Sequence, residues 1–189
     1  MVVEVERELL RKCRAGDWNA YEPIVRAYES RVYGLALGLV RNPDDARDLT
    51  QDSFVRAFQA IELYDPDRPF LGWLLGICRN MCIDFLRRRR PLVHMDDESP
   101  EGRKVQLPDP NARTDRPTIA DETRALVWEA MGQISDEHRE VLVLKDIQDL
   151  EYAEIARILN IPQGTVASRV YYARRALRAA LEAMGVEYP

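Results

Sequence analysis

Apolar residues recur every three to four positions along nearly the whole chain, and no segment shows the strict alternation of a half-buried strand. This period predicts helices near Val5–Arg14, Trp18–Val40, Pro43–Ile61 and Phe70–Arg89, and a second helical set that begins with Glu122–Gln133. The start signals agree. Asn42-Pro43-Asp44-Asp45 sets a side-chain cap, a proline at the first helical position and two carboxylates on the positive end of the helix dipole. Ser135-Asp136-Glu137 is a similar start without the proline, and Asp149 is expected to cap the helix beginning near Glu151. From Pro91 to about Ala120 the period is lost, while Pro91, Pro100, Pro108, Pro110 and Pro117 accumulate among acids, as in an extended linker. The fold class is therefore all-α: helical domains over 1–93 and 122–189, joined by a flexible acidic linker over 94–121.

The segment Glu151–Leu181, EYAEIARILNIPQGTVASRVYYARRALRAAL, carries the most information. Ile155, Ala156 and Leu159 share one face of a first helix, and Val166, Val170, Ala173 and Leu177 repeat on a second. Asn160 tolerates the left-handed backbone that ends a helix, and Pro162 suits the first turn of the next. Gln163, Thr165, Ser168, Arg169 and Tyr171 then face outward near the second helix's start. That is the arrangement of a helix-turn-helix whose second helix enters a major groove, with Arg174, Arg175 and Arg178 placed for phosphates. An antiparallel helical hairpin with a solvated basic face satisfies the same spacing.

Three surfaces of the first domain carry candidate chemistry. In the fourth helix Leu74, Cys78, Met81 and Phe85, with Leu75, Cys82 and Leu86, form an apolar side. Gly76, Arg79, Asn80, Ile83 and Arg87 lie opposite, extended by Asp84 and Arg88–Arg90, which suits a helix lying along a nucleic-acid backbone or a solvated helix end. The preceding loop, Tyr64-Asp65-Pro66-Asp67-Arg68-Pro69-Phe70, followed by Trp73, offers aromatic rings that could cradle an unpaired base. Phe70 and Trp73 are equally suited to anchoring the core, the reading preferred for Trp73. The third surface is the polar stripe Asp44, Asp45, Asp48, Gln51, Asp52 and Arg56, either solvated or able to dock a basic protein.

Composition narrows the class. With 46% hydrophobic and 31% charged residues the chain folds without a membrane, since no apolar run approaches about 20 residues. The charged N-terminus is unlike a signal peptide, and a cytoplasmic location is expected. Cys13, Cys78 and Cys82 show no metal spacing and read as reduced core residues, so no cofactor or metal is expected. Asp96, Asp97 and Glu98 lack histidine neighbours suited to a metal site, His94 and His138 read as bystanders, and no P-loop, nucleophile elbow or HExxH occurs, so no enzyme is expected. The net charge of -5 is unusual for a nucleic-acid binder until it is divided. Positive charge gathers at Arg87–Arg90 and after Thr165, whereas the rest is acidic, so another molecule is expected to supply most of the affinity.

The runs DDARDLTQDSFVRAF, YDPDRPFLGWLLGICRNMCIDFLRRRR and EYAEIARILNIPQGTVASRVYYARRAL, in that order, resemble an extracytoplasmic-function (group IV) RNA polymerase sigma factor over essentially residues 5–181. The resemblance implies a region 2 domain, a region 4 domain and no middle domain. It implies that Asp48, Gln51, Asp52 and Arg56 dock the β′ clamp of bacterial core RNA polymerase, the β flap being a further contact. It implies that the loop of Tyr64, Asp65 and Phe70 captures a flipped base of the -10 promoter element. Arg79, Asn80, Asp84, Arg87 and Arg88 would then line the melted -10 region. Gln163, Thr165, Ser168, Arg169 and Tyr171 would read the -35 element, with Arg174 and Arg175 on phosphates. It also implies an anti-sigma factor partner, promoter DNA as target, and no membrane insertion.

Several residues depart from the family pattern. Asn160 replaces a frequent glycine with a residue that accepts the same backbone. Asp52 shortens a commoner glutamate, and Ala167 and Tyr172 stand where basic residues are frequent, which leaves the -35 sequence open. No fused regulatory domain is expected after Pro189. A free-standing helix-turn-helix regulator is the competing function, and the acidic surfaces weigh against it.

Overall fold

The computed structural model describes residues 2–89 and 119–186, and every regular element among them is helical. The order is α1 (Val2–Arg14), a 3-10 turn (Trp18–Ala20), α2 (Tyr21–Val40), α3 (Pro43–Gln59), a 3-10 turn (Ile61–Leu63) and α4 (Phe70–Arg89). The second set comprises α5 (Ile119–Met131), α6 (Asp136–Leu142), a π-helical turn (Val143–Ile147), α7 (Tyr152–Leu159) and α8 (Gln163–Ala183). The expected linker, including Arg90, His94, Asp96, Asp97 and Glu98, lies outside the described residues apart from its last positions, which open α5.

The capping chemistry accounts for most boundaries. Asn42 is extended, and its side chain accepts from the amides of Asp44 and Asp45, both at 3.0 Å. Ser135 accepts from the His138 amide at 3.3 Å. Arg41 and Asn160 end α2 and α7 in the left-handed region, at φ 58° and 53°. One expectation is corrected: Asp149 does not cap α7. It is itself left-handed at φ 50°, in the turn that follows the π-helical segment. Glu151 is the cap instead, in a reciprocal box with Glu154.

In the first set, α2 is the central helix, packed on α3 and α4. Its run Val32–Val40 is buried almost throughout, and Leu35, Phe70, Leu74 and Leu75 are among the most deeply buried side chains. Each such side chain contributes about 1.5–3 kcal/mol by leaving water. The second set closes on Val141, Leu142, Ile155, Val166 and Val170.

The two domains predicted from the pattern pack against each other and share one apolar cluster. Val143 and Leu144 of the π turn are fully buried in it. Gly38 on α2 makes the close approach possible: a Cβ there would stand 2.7 Å from Val143 Cγ2 and 3.5 Å from the Trp128 ring. Beside it, Gln148 is only 2% exposed and exchanges hydrogen bonds with α2. Its Nε2 donates to Arg31 O at 3.0 Å, and Arg31 Nε donates to its Oε1 at 2.8 Å. A second Arg31 nitrogen donates to the Gln148 carbonyl. Arg41 Nη1 donates to the carbonyl of Gly132 at 3.3 Å.

Gly38→Ala tests this contact. A mid-helix glycine-to-alanine change stabilises an isolated helix by about 1 kcal/mol, but here Val143 must move. The expected outcome in the full chain is an increased radius of gyration in small-angle scattering, with helix content unchanged. An unchanged radius would mean that Val143 gives way without the domains parting.

Candidate nucleic-acid interface

The helix-turn-helix forms as the spacing predicts. Ile155 and Leu159 of α7 face Val166, Val170 and Ala173 of α8 in a buried seam. Asn160 turns the chain, the Ile161 amide bonds back to Ala156 O at 3.1 Å, and Pro162 precedes the first residue of α8. Gln163, Ser168, Tyr171, Arg174 and Arg175 are exposed, and Thr165 and Arg169 are half-buried. Ser168 Oγ donates to the Thr165 carbonyl at 3.0 Å, which orients its lone pairs outward. The arginines are not all idle. Arg169 reaches Glu137 at 3.4 Å, and Arg174 donates to both oxygens of Asp146, an interaction that raises its already high pKa. The Arg175 guanidinium lies 5.9 Å from the Tyr171 ring centre.

The α4 surface differs from its expected form at two positions. Tyr64 and Phe70 are 5% and 1% exposed, and their rings meet edge to face at 5.3 Å beneath the loop. They are core residues in this structure, because Phe70 opens α4 on its inward face while the Tyr64 hydroxyl donates to Arg68 O at 2.6 Å. Burial raises the Tyr64 pKa. The loop's exposed residues are Asp65, Pro66, Asp67, Arg68 and Pro69, with Asp65 paired to Arg68 at 2.9 Å. Trp73 packs on both rings, as its core reading requires, and its remaining edge lines a cavity of about 300 Å³. Gly72, Gly76 and Asn80 of α4 form one wall of that cavity, with Glu154, Arg157 and Ile158 of α7 on the other.

Arg79 is turned toward the second domain. Its Nε donates to Glu140 Oε1 at 2.6 Å, a second nitrogen lies 3.4 Å from Oε2, and Nη1 donates to Asn80 Oδ1 at 3.2 Å. Glu140 keeps only 8% of its side chain exposed, so this ion pair is largely out of water. Further along α4, Asp84 pairs with Arg87 at 3.1 Å and Arg88 is exposed. Arg89 reaches Asp45 at 2.5 Å and lies over the Phe85 ring. Cys78 and Cys82 are buried inside the same helix, where the neighbouring thiol and burial hold Cys82 well above its usual pKa.

The α3 stripe is narrower than expected: Asp44 pairs with Arg47 at 3.0 Å and Asp45, half-buried, is held by Arg89, while its remaining four residues stay open. Asp48, Gln51, Asp52 and Arg56 are exposed on one helical face, and no ion pair among the described residues engages them. Val55 stands in their midst with 53% of its surface exposed, an apolar centre inside a charged rim. It was absent from the stripe expected from the sequence, although its offsets of three from Asp52 and four from Gln51 place it there. No described helix is long and apolar enough to cross a membrane.

Residues 24–91 match the family Sigma-70 region 2, and residues 124–177 match Sigma-70, region 4. The chain is 32% identical over 179 residues to the ECF RNA polymerase sigma factor SigW of Bacillus subtilis (strain 168), covering 93% of this chain and 96% of that protein. It is 38% identical over 158 residues to the ECF RNA polymerase sigma factor SigL of Mycobacterium tuberculosis (strain H37Rv), covering 82% and 85%. Among solved structures, CnrH in complex with the cytosolic domain of CnrY superposes with a TM-score of 0.70 at 26% identity, covering 95% and 98%.

The Arg79–Glu140 pair makes a quantitative expectation. Glu140→Ala strands a half-buried guanidinium and should destabilise the chain by about 1–3 kcal/mol in denaturant titrations, whereas Glu137→Ala at the surface should cost about 0.5 kcal/mol or less. Equal, small losses would place Arg79 in water.

Proposed function

The chain belongs to the sigma-70 family as an extracytoplasmic-function sigma factor, and on that premise we propose how its surfaces divide the work of starting transcription. The α3 stripe docks core RNA polymerase. Asp48, Gln51, Asp52 and Arg56 supply direction through charge, and Val55 supplies the desolvated centre. The observation that carries this reading is that Asp48, Gln51, Asp52 and Arg56 form an exposed face, of the wrong sign for DNA, that no ion pair among the described residues engages. A free-standing regulator has no use for such a face.

Charge and exposure support the remaining assignments that the family resemblance implies. The open end of α8 enters the major groove of the -35 duplex, where Gln163, Thr165, Ser168 and Tyr171 approach base edges and Arg174 and Arg175 approach phosphates. Arg169 is placed beside them and reaches the groove by leaving Glu137. On α4, Asn80, Arg87 and Arg88 track the melted -10 strand, with Asp84 positioning Arg87. Asp65 belongs to the exposed rim of the loop. Tyr64 and Phe70 support the loop from beneath unless it opens, since a flipped base needs a free ring to stack on.

Arg79 gives the arrangement an order of events. While Glu140 holds it, a DNA phosphate and α6 compete for one guanidinium, so the domains separate before the -10 strand is held. Polymerase docking needs no such separation, because the α3 stripe is already open. CnrH was solved in complex with the cytosolic domain of CnrY, and we infer that this chain too takes a protein partner, which the family resemblance gives as an anti-sigma factor.

Run-off transcription by bacterial core polymerase on a promoter library tests the function: the chain should direct initiation from fragments that share two motifs at fixed spacing. Asp48→Ala with Asp52→Ala should weaken binding to core polymerase at least about tenfold, equivalent to about 1.4 kcal/mol, with thermal unfolding unchanged. Retained affinity would remove α3 as the docking face. Asn80→Ala should slow formation of the open complex and spare the closed complex, as read by permanganate reactivity of unpaired thymines.

A further inference from the structure

The first three turns of α8 expose Gln163, Gly164, Ala167, Ser168, Tyr171 and Tyr172. Two adjacent tyrosines are an expensive choice for an open helix face, since their rings keep 59% and 55% of their surface in water. They meet edge to face at 5.3 Å, which fixes their relative orientation. Ala167 lies one turn before Tyr171, and Ser168 one turn before Tyr172, so the four form a continuous patch of methyl, hydroxyl and ring.

The same stretch is short of cations. Arg169 is its single basic residue, half-buried and turned to Glu137. Arg174 is engaged by Asp146, and Arg175 lies farther along, over the Tyr171 ring. Gly164 adds an independent point. A Cβ there would meet no atom within 4 Å, so the chain's own packing does not require glycine. Its effect is outward, where the missing side chain lets the helix end approach a groove closely.

Base-edge chemistry turns this composition into a preference. Guanine is read chiefly by a bidentate arginine or lysine on O6 and N7, adenine by a bidentate glutamine or asparagine, and thymine by apolar contact with its methyl group. We propose that α8 reads its upstream element through thymine methyls and adenine edges, with no arginine–guanine pair at its centre. Ala167 and the Tyr171–Tyr172 pair take the methyls, and Gln163 takes the adenine. Tyr172 thereby becomes a specificity determinant beside the residues already assigned. The inference rests on α8 being the -35 recognition helix and names the class of sequence that helix selects.

The test uses the full chain bound to core polymerase and duplexes randomised across the upstream element. The expected selection is A·T-rich. Replacing a contacted thymine by uracil deletes only its methyl, and should weaken binding about fourfold, the effect of burying one such group. Tyr172→Ala should abolish the uracil penalty at the position it contacts while leaving polymerase binding and thermal unfolding unchanged. Replacing any selected guanine by 7-deazaguanine should leave affinity unchanged. A guanine whose N7 is worth tenfold or more, with that preference lost in Arg169→Ala, would overturn the inference by showing that Arg169 leaves Glu137 to read it. A uracil penalty that persists in Tyr172→Ala, Tyr171→Ala and Ala167→Gly would overturn it as well. A selection without any upstream preference would overturn both the inference and the recognition-helix reading.

Discussion

Everything else in this structure depends on one burial problem and its solution. A π turn presses Val143, Leu144 and the Gln148 carboxamide against α2. The apolar part of that contact is non-directional, whereas a carboxamide removed from water without partners costs about 1–3 kcal/mol. The observed register of the two domains gives Gln148 both a donor, on the Arg31 guanidinium, and an acceptor, on the Arg31 carbonyl. The apolar contact thus holds the domains together, and the amide exchange decides where. Once the domains part, water satisfies the same groups, so the arrangement is specific without being permanent.

That register has a functional asymmetry. It covers the side of α4 that bears Arg79 and leaves the α3 stripe and the outer face of α8 in solvent. Under the proposed roles, the chain is prepared to meet a protein before it is prepared to hold a single strand. On these proposed roles its acids serve the same sequence of events, because Glu140, Asp146 and Glu137 each hold an arginine assigned to DNA. Restraint of DNA binding is therefore distributed over ordinary ion pairs as well as any external partner.

Local chemistry was legible in the sequence, and long-range packing was not. Asn42-Pro43 and Asn160 announced their boundaries because caps and left-handed turns depend on single residues. The helix-turn-helix was readable because its seam repeats at helical spacing. Asp149 misled because a π turn adds a residue to the helical count and leaves no compositional trace. Tyr64 and Phe70 misled because aromatic residues beside a proline-rich loop look the same whether they point out or in. The contact between domains had one visible sign, Gly34 and Gly38 a turn apart inside the most apolar run, where small residues admit a close neighbour. Reading it required knowing which segment that neighbour was.

The pairs Arg169–Glu137 and Arg174–Asp146 also bear on how this protein responds to its ionic surroundings. Lysines and arginines that bind DNA ordinarily displace cations condensed on the phosphates, and the release of those ions makes affinity fall steeply with salt concentration. In the proposed -35 contact each of these two arginines must also give up a carboxylate tethered to the same chain. Free salt screens that tether and lowers the cost of breaking it, so added electrolyte weakens the phosphate contact and the competing internal contact together. The logarithmic slope of -35 binding against salt should therefore be shallower than the number of arginines facing the duplex implies.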